Sequence, residues 1–369
     1  MATRTGKAAV CRELNKPVVV ETIAVDGPKR GEVTVRIAAC GVCHSDLSAT
    51  NGTIALPPPL VLGHEGAGEV VEVGEGVAGL AVGDHVVTSF IYMCGKCRFC
   101  TGGRPVLCVE QGKALLTPPE GTPRVHDAGG KPLNIFSGCG VMAEYATLSA
   151  DNVVKIDPKI PLDRAALVGC AVTTGVGAVF NTARVEPGST VVVFGCGGVG
   201  LNAIQGAAIA GAERILAVDT MESKLEMAKK FGATDTLVAK PGEDPTKEIK
   251  KRTGGGPDYA FECVGAGALA EIAYKVIRRG GKAVIVGVAR PTESTAFKPM
   301  SMVFEEKTLQ GSYFGSCVPR IDFPRMLQLY MAGKLKLDEL ITRRYKIDEA
   351  PQAFADLESG KNARGVIVF

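Results

Sequence analysis

Two rhythms of apolar and polar positions divide the chain. In the first third, short apolar runs alternate with Gly and Pro punctuation: KAAVCREL, PVVVETIAV, GEVTVRIAACGVC, GHEGAGEVVEVG and GDHVVTSF. Such spacing predicts short strands and a mostly β domain. From Ser189 the rhythm becomes strand, glycine turn, helix: STVVVFG, GVGLNAIQGAAIAGA, RILAVD, ESKLEMAKKFGA, DTLVAK and the helix-like DPTKEIKKRT. PDYAFECVG, ALAEIAYKVIRRGG and KAVIVGV continue it, and KTLQGSYFG adds a sixth strand. This alternation predicts an α/β domain with a doubly wound parallel sheet. Beyond Tyr313, FPRMLQLYMAGKL reads as an apolar helix, and this tail, closing on GVIVF, is expected to rejoin the first domain. The expected divisions are therefore 1–171, 172–312 and 313–369. The stretch from Gly112 to Gly138 reads as a long polar loop whose length suggests a functional insertion. There is no internal repeat.

A chain of 369 residues exceeds the size at which single cores stop growing, so two domains sharing a cleft are expected. Its composition, 46% apolar and 22% charged, is that of a globular chain, and no run of eighteen apolar residues offers a bilayer span. The opening residues carry no secretory h-region, which points to the cytoplasm. A net charge of +3, with 42 basic and 39 acidic residues, leaves no dense basic block and argues against a nucleic-acid partner. Twelve cysteines in so large a chain suggest metal ligation and buried thiols rather than disulfides.

Gly195, Gly197 and Gly200 in FGCGGVG form G-x-G-x-x-G between a β-branched strand and a small-residue helix. That pattern provides a tight turn, backbone approach to a pyrophosphate and a helix N-terminus facing the anion. Asp219 ends the next strand, where a carboxylate binds both ribose hydroxyls and repels a 2′-phosphate, favouring NAD over NADP. A glycine turn that binds nothing does not account for strand, helix and acid together.

Cys94, Cys97, Cys100 and Cys108 in CGKCRFCTGGRPVLC suit four thiolates around one ion. With no open position, that zinc is structural. A nucleic-acid zinc module is the competing reading, but no basic recognition helix accompanies the lobe. A second set is dispersed: Cys43 in GVCHSD, His64 in GHEGAGEVVEVG and Cys170 in ALVGCAVTTG. Taken singly, Cys170 reads as core and His64 as a structural histidine.

Read together, GVCHSD, GHEGAGEVVEVGEGV, the four-cysteine lobe, VGCAVTTGVGAV, FGCGGVG and GKNARGVIVF resemble, in the same order, the motifs of the zinc-containing medium-chain alcohol dehydrogenases. The resemblance spans essentially the whole chain and implies a GroES-like catalytic domain beside a Rossmann domain. It implies a second, catalytic zinc on Cys43, His64 and Cys170, with the fourth position open to water or substrate oxygen. It makes Ser45 the start of a proton relay, Asp46 the acceptor that orients His64, and Glu65 a carboxylate near the zinc. Cofactor contacts follow in the same way: His44 and Arg364 on the pyrophosphate, Gly198 in the glycine turn, Lys224 near the adenosine ribose, and Thr174, Val199 and Val288 near the nicotinamide.

The implied reaction is hydride transfer between a small primary alcohol or aldehyde, apolar or aromatic, and NAD, in a homodimer or homotetramer built through the nucleotide domains. One departure is Ser48, standing where many relatives carry a histidine that passes the proton outward, so water or another group takes that role. By the same resemblance Phe90 and Phe136 line an apolar pocket, while on their own they read equally as plain core. Thiol-adduct formaldehyde dehydrogenation ranks lower: NGTIALPPPL lacks the acids of the glutathione-linked branch, and only Lys113 in CVEQGK stands in for its arginine. A noncatalytic, zinc-stabilised NAD-binding protein is the reading from another class.

Overall fold

The first apolar runs pair as an antiparallel ladder, strand Arg4–Cys11 against Val19–Val25, with Gly6 opposite Ile23 and Ala8 opposite Glu21. In the computed structural model, which describes residues 3–240 and 242–369, this pair forms the middle of a five-stranded sheet. A second, seven-stranded sheet is built on the long strand Glu32–Val42, flanked by Gly66–Val73 and Arg364–Val368. Arg364–Val368 runs antiparallel to Glu32–Val42, Gly365 facing Val42, and parallel to Ile341–Tyr345. Val33, Val35, Ile37, Val70, Val86 and Ile367 fill the core between these strands and the helix Ala350–Glu358.

The segment expected as a polar loop is more ordered than its composition suggests. Val125–Asp127 and Asn134–Ile135 form the two edge strands of the five-stranded sheet. Its polar Arg124 is only 2% exposed: Nε and Nη2 donate to the two carboxylate oxygens of Glu32 at 2.8 and 3.0 Å, and Nη1 donates to the carbonyl of Thr122 at 3.0 Å. A charged residue of the expected polar loop is thus an internal clasp.

The second unit holds six parallel strands in the order Asp235–Val238, Arg214–Asp219, Thr190–Phe194, Tyr259–Glu262, Lys282–Ile285, Thr308–Gly311. Numbered by sequence this is 3-2-1-4-5-6, the dinucleotide-binding arrangement whose crevice opens between the carboxyl ends of the first and fourth strands. Val191, Val192, Val193 and Phe194 are buried, as expected of a strand covered on both faces. Helix Gly198–Ile209 packs against Ala171–Gly177.

The chain divides into one compact unit of 1–170, 318–332 and 337–369 and another of 171–317 and 333–336. The second reaches Cys317 because the turn Phe314–Ser316 packs on Ala171–Gly177, and Asn181 donates to the Gly315 carbonyl at 3.2 Å. No single helix among the described residues is long and apolar enough to cross a membrane. One bent pair, Leu162–Gly169 with Ala171–Ala183, passes on length and composition, but most of its residues are buried in the fold.

Candidate metal centres and dinucleotide site

Three distant segments converge in the first unit. Cys43 precedes the short helix His44–Thr50, His64 follows strand Leu60–Val61, and Cys170 follows the turn Leu167–Gly169. Gly169 lets that turn lie close: a Cβ there would sit 3.1 Å from the Thr88 carbonyl and 3.2 Å from Glu65 Cα. The thiols of Cys43 and Cys170, a nitrogen of His64 and a carboxylate oxygen of Glu65 all lie within 4.8 Å of one another. All four residues are buried.

Asp46 organises the imidazole. Its Oδ1 accepts from the Gly63 amide at 2.8 Å, and its Oδ2 lies 3.2 Å from His64 Nδ1. Nδ1 faces Asp46 without completing a hydrogen bond to it, and Nε2 is likewise buried without a hydrogen-bond partner. A proton kept on Nδ1 by the carboxylate leaves Nε2 as the nitrogen free to ligate. Phe90 and Phe136 stack edge-on against the ring, at centroid distances of 5.4 and 5.2 Å. Phe136 is fully buried core, while Phe90 is partly exposed.

Burial disfavours the His64 cation, but Asp46 and Cys43 outweigh it and hold its pKa well above the ordinary value. Cys43 is pulled well below the ordinary thiol range, chiefly by the hydrogen bond from Cys170. Burial pushes the Glu65 carboxyl up to about 7, opposed by Arg364. A thiolate, a second thiol, a carboxylate and an unpartnered imidazole nitrogen form a cage of donors that fits a zinc ion.

Arg364 comes into this centre. Its guanidinium is 3% exposed and pairs with the Glu65 carboxylate. The pairing needs Gly41, where a Cβ would collide with the Glu65 carboxylate and lie 3.1 Å from Arg364 Nη2. Sequence reading gave Arg364 only as a cofactor contact. Its place beside Glu65 follows from the pairing of Gly365 with Val42, which no local motif announces. His44 is exposed, and Ser45 Oγ lies 3.7 Å from Cys43 Sγ. Ser48 is half-buried on the same helix.

Cys94, Cys97, Cys100 and Cys108 form the second cluster, also with sulfurs within 4.8 Å of one another. The backbone N–H groups of Cys100 and Val109 donate to Cys97 and lower its pKa to about 6. The Cys94 amide points at Cys108 Sγ, 3.4 Å away. Burial pushes the Cys100 thiol up to about 12, and four sulfurs gathered this closely fit a closed structural zinc site.

In the second unit, Gly195 turns at φ +88°, and a Cβ there would lie 2.5 Å from Val264 Cγ2. A Cβ on Gly200 would collide with the Gly195 carbonyl, so the helix Gly198–Ile209 starts hard against the first strand. Gly197 is the N-cap, and Val199 is half-buried in the first turn. Asp219 closes onto this loop, its Oδ2 accepting from the Cys196 amide at 2.8 Å and its Oδ1 from Met221 at 3.0 Å. Lys224 is half-buried on the following helix, Thr174 is buried, and Val288 is 72% exposed.

Two family models match: a zinc-binding dehydrogenase model over residues 198–332 and an alcohol dehydrogenase GroES-like domain over residues 29–158. An NDMA-dependent alcohol dehydrogenase of Amycolatopsis methanolica is 42% identical, over 98% of each chain. S-(hydroxymethyl)glutathione dehydrogenase of Saccharomyces cerevisiae is 41% identical over 98% of this chain and 95% of that one. The crystal structure of benzyl alcohol dehydrogenase from Acinetobacter calcoaceticus superposes with a TM-score of 0.93 at 33% identity, covering 99% of both chains. The chain belongs to the zinc-dependent medium-chain alcohol dehydrogenases. It is accordingly a zinc-dependent oxidoreductase of alcohols and aldehydes, with a GroES-like unit and a Rossmann unit. Both donor clusters are compatible with the zinc sites of this family.

Proposed function

We propose that the chain transfers hydride between a primary alcohol or aldehyde bearing an apolar or aromatic group and NAD, using Cys43, His64 and Cys170 as ligands of a catalytic zinc. The convergence of these three side chains from separate segments is the observation that carries the reading. When bound, zinc supplies a Lewis acid that lowers the pKa of an alcohol oxygen, and nicotinamide supplies the hydride acceptor. Asp46 holds the His64 tautomer with Nε2 free to ligate, and the Ser45 hydroxyl, beside Cys43, accepts the alcohol proton while passing its own on to water or another group standing in for the missing histidine at Ser48. Glu65, paired with Arg364, keeps a second carboxylate at the centre that assists ligand exchange. Phe90, edge-on to His64, gives the substrate side an apolar wall.

The carboxylate of Asp219 faces the glycine loop, where ribose hydroxyls would replace its amide partners and a 2′-phosphate would be repelled. Asp219→Ala is expected to weaken NAD by roughly 10- to 100-fold in KM, the worth of hydrogen bonds to a charged group, and to narrow the preference over NADP. Steady-state kinetics with both cofactors check this, and an unchanged NAD/NADP ratio would refute the assignment.

A thiol-adduct substrate is the second reading, favoured by the S-(hydroxymethyl)glutathione dehydrogenase relative. It ranks lower because Lys113 is engaged by the Glu110 carboxylate and because 51–60 carries no acid. Following NADH absorbance over a panel of aliphatic and aromatic alcohols, with and without added low-molecular-weight thiols, separates the two. Turnover of aromatic alcohols without thiol is expected; formaldehyde oxidation that requires a thiol overturns the substrate assignment.

We also propose a homodimer through the nucleotide unit. The edge strand Thr308–Gly311 follows a helix, Pro299–Glu305, on which Met300, Val303 and Phe304 are 71–77% exposed. Exposed apolar side chains beside an open sheet edge are what a second copy covers. Phe304→Asp should shift the sedimenting species toward monomer; an unchanged mass sinks the interface.

A further inference from the structure

Among the described residues, one buried carboxylate outside the metal centre, that of Glu262, has no ion-pair partner. Glu262 ends the fourth strand of the parallel sheet, opposite Phe194, the last residue before the glycine turn. It is 0% exposed. One carboxylate oxygen, Oε1, accepts from the amides of Val264 and Gly265 at 2.8 and 2.7 Å. The other, Oε2, is buried and without a hydrogen-bond partner. Burying a carboxylate costs several kcal/mol unless the fold gains something specific by it.

What it gains is the shape of two loops. Gly265, at φ +88°, presses on the loop after the fifth strand: a Cβ on it would lie 2.5 Å from the Val288 carbonyl oxygen and 2.9 Å from the Val288 nitrogen. Gly287 closes the contact from the other side, since a Cβ there would lie 2.6 Å from Gly265 Cα. The Val286 and Gly287 amides donate to the Glu262 carbonyl at 2.9 and 3.0 Å. Main chain and side chain of one residue therefore clamp both loops. Val264 and Val288 project from them at 55% and 72% exposed, and Val264 leans on Gly195. Large apolar side chains this exposed, at the carboxyl edge of strands one, four and five, form a ledge where a ring lies flat in a doubly wound sheet.

We propose that Glu262 is a positioning residue for the nicotinamide half of the dinucleotide, fixing the Val264–Val288 ledge without itself touching the ligand. The inference rests on the cofactor reading above. A carboxylate suits the role because it offers only acceptors to the amides that face it, whereas an amide side chain places a donor among backbone donors. Burial pushes the Glu262 carboxyl above its ordinary value, while the amides of Gly265, Val264, Ala266 and Gly287 pull it back down.

The test compares NADH with ADP-ribose, which lacks the ring, by fluorescence and calorimetric titration of the zinc-loaded protein. Glu262→Gln should weaken NADH about tenfold while ADP-ribose stays within about twofold. Val264→Ala, an exposed truncation that leaves the fold alone, should repeat the pattern more mildly. Unchanged NADH binding in Glu262→Gln overturns the role of Glu262 alone, as does equal loss of both ligands, which would make it a general prop. A wild-type protein that binds ADP-ribose and NADH equally overturns the ledge. One that binds neither removes the cofactor reading and this inference together.

Discussion

Cys170→Ala should reduce the zinc content by one ion per chain and lower alcohol turnover by roughly a thousandfold, about 4 kcal/mol of transition-state stabilisation. The thiol is one of the donors gathered around the His64 imidazole, and removing it opens the cage. The parallel change Cys97→Ala should also cost one zinc, but from the lobe, with loss of thermal stability rather than of a donor at the reacting centre. Metal analysis beside kcat for the two variants distinguishes the sites. If Cys170→Ala keeps its full metal content and its turnover, the catalytic assignment of Cys43, His64 and Cys170 is wrong.

Arg124→Met is expected to destabilise the first unit by about 3–5 kcal/mol, because it leaves the Glu32 carboxylate buried without its guanidinium. Pairing it with Glu32→Leu should recover most of the loss, since an apolar pair of similar volume often substitutes for a buried ion pair. Urea unfolding of single and double variants gives the comparison, read at constant m. A single variant within about 1 kcal/mol of the parent would mean that water replaces the lost partner.

The two sites differ in how much of them the sequence displays. The glycine turn and Asp219 are legible because strand, turn, helix and acid follow one another, and their geometry is set by local backbone needs. The cysteine lobe is legible for the same reason, its four sulfurs lying within one short turn-rich segment. Cys170 carries no such local mark. It sits in an apolar run indistinguishable from core, and only the family pattern tied it to Cys43 and His64. The role of Arg124 is not legible either: it lies in a Gly- and Pro-rich stretch that reads as a polar loop, and its partner Glu32 lies far away in sequence. Glu262 gave no signal, because a carboxylate held by amides has no charged partner for a pattern to reveal.

The insertion of Arg364–Val368 beside Glu32–Val42 has a bearing on biogenesis. The nucleotide unit draws nearly all its residues from one continuous stretch, so its sheet can close through short-range steps as soon as that stretch has emerged from the ribosome. The β unit must instead hold an unpaired strand edge from early in synthesis until residues made more than three hundred positions later arrive to cover it, a loop closure of large entropic cost. During that wait the Val42 edge is exposed to pairing with other nascent chains, and chaperone demand should fall on this unit rather than on its neighbour.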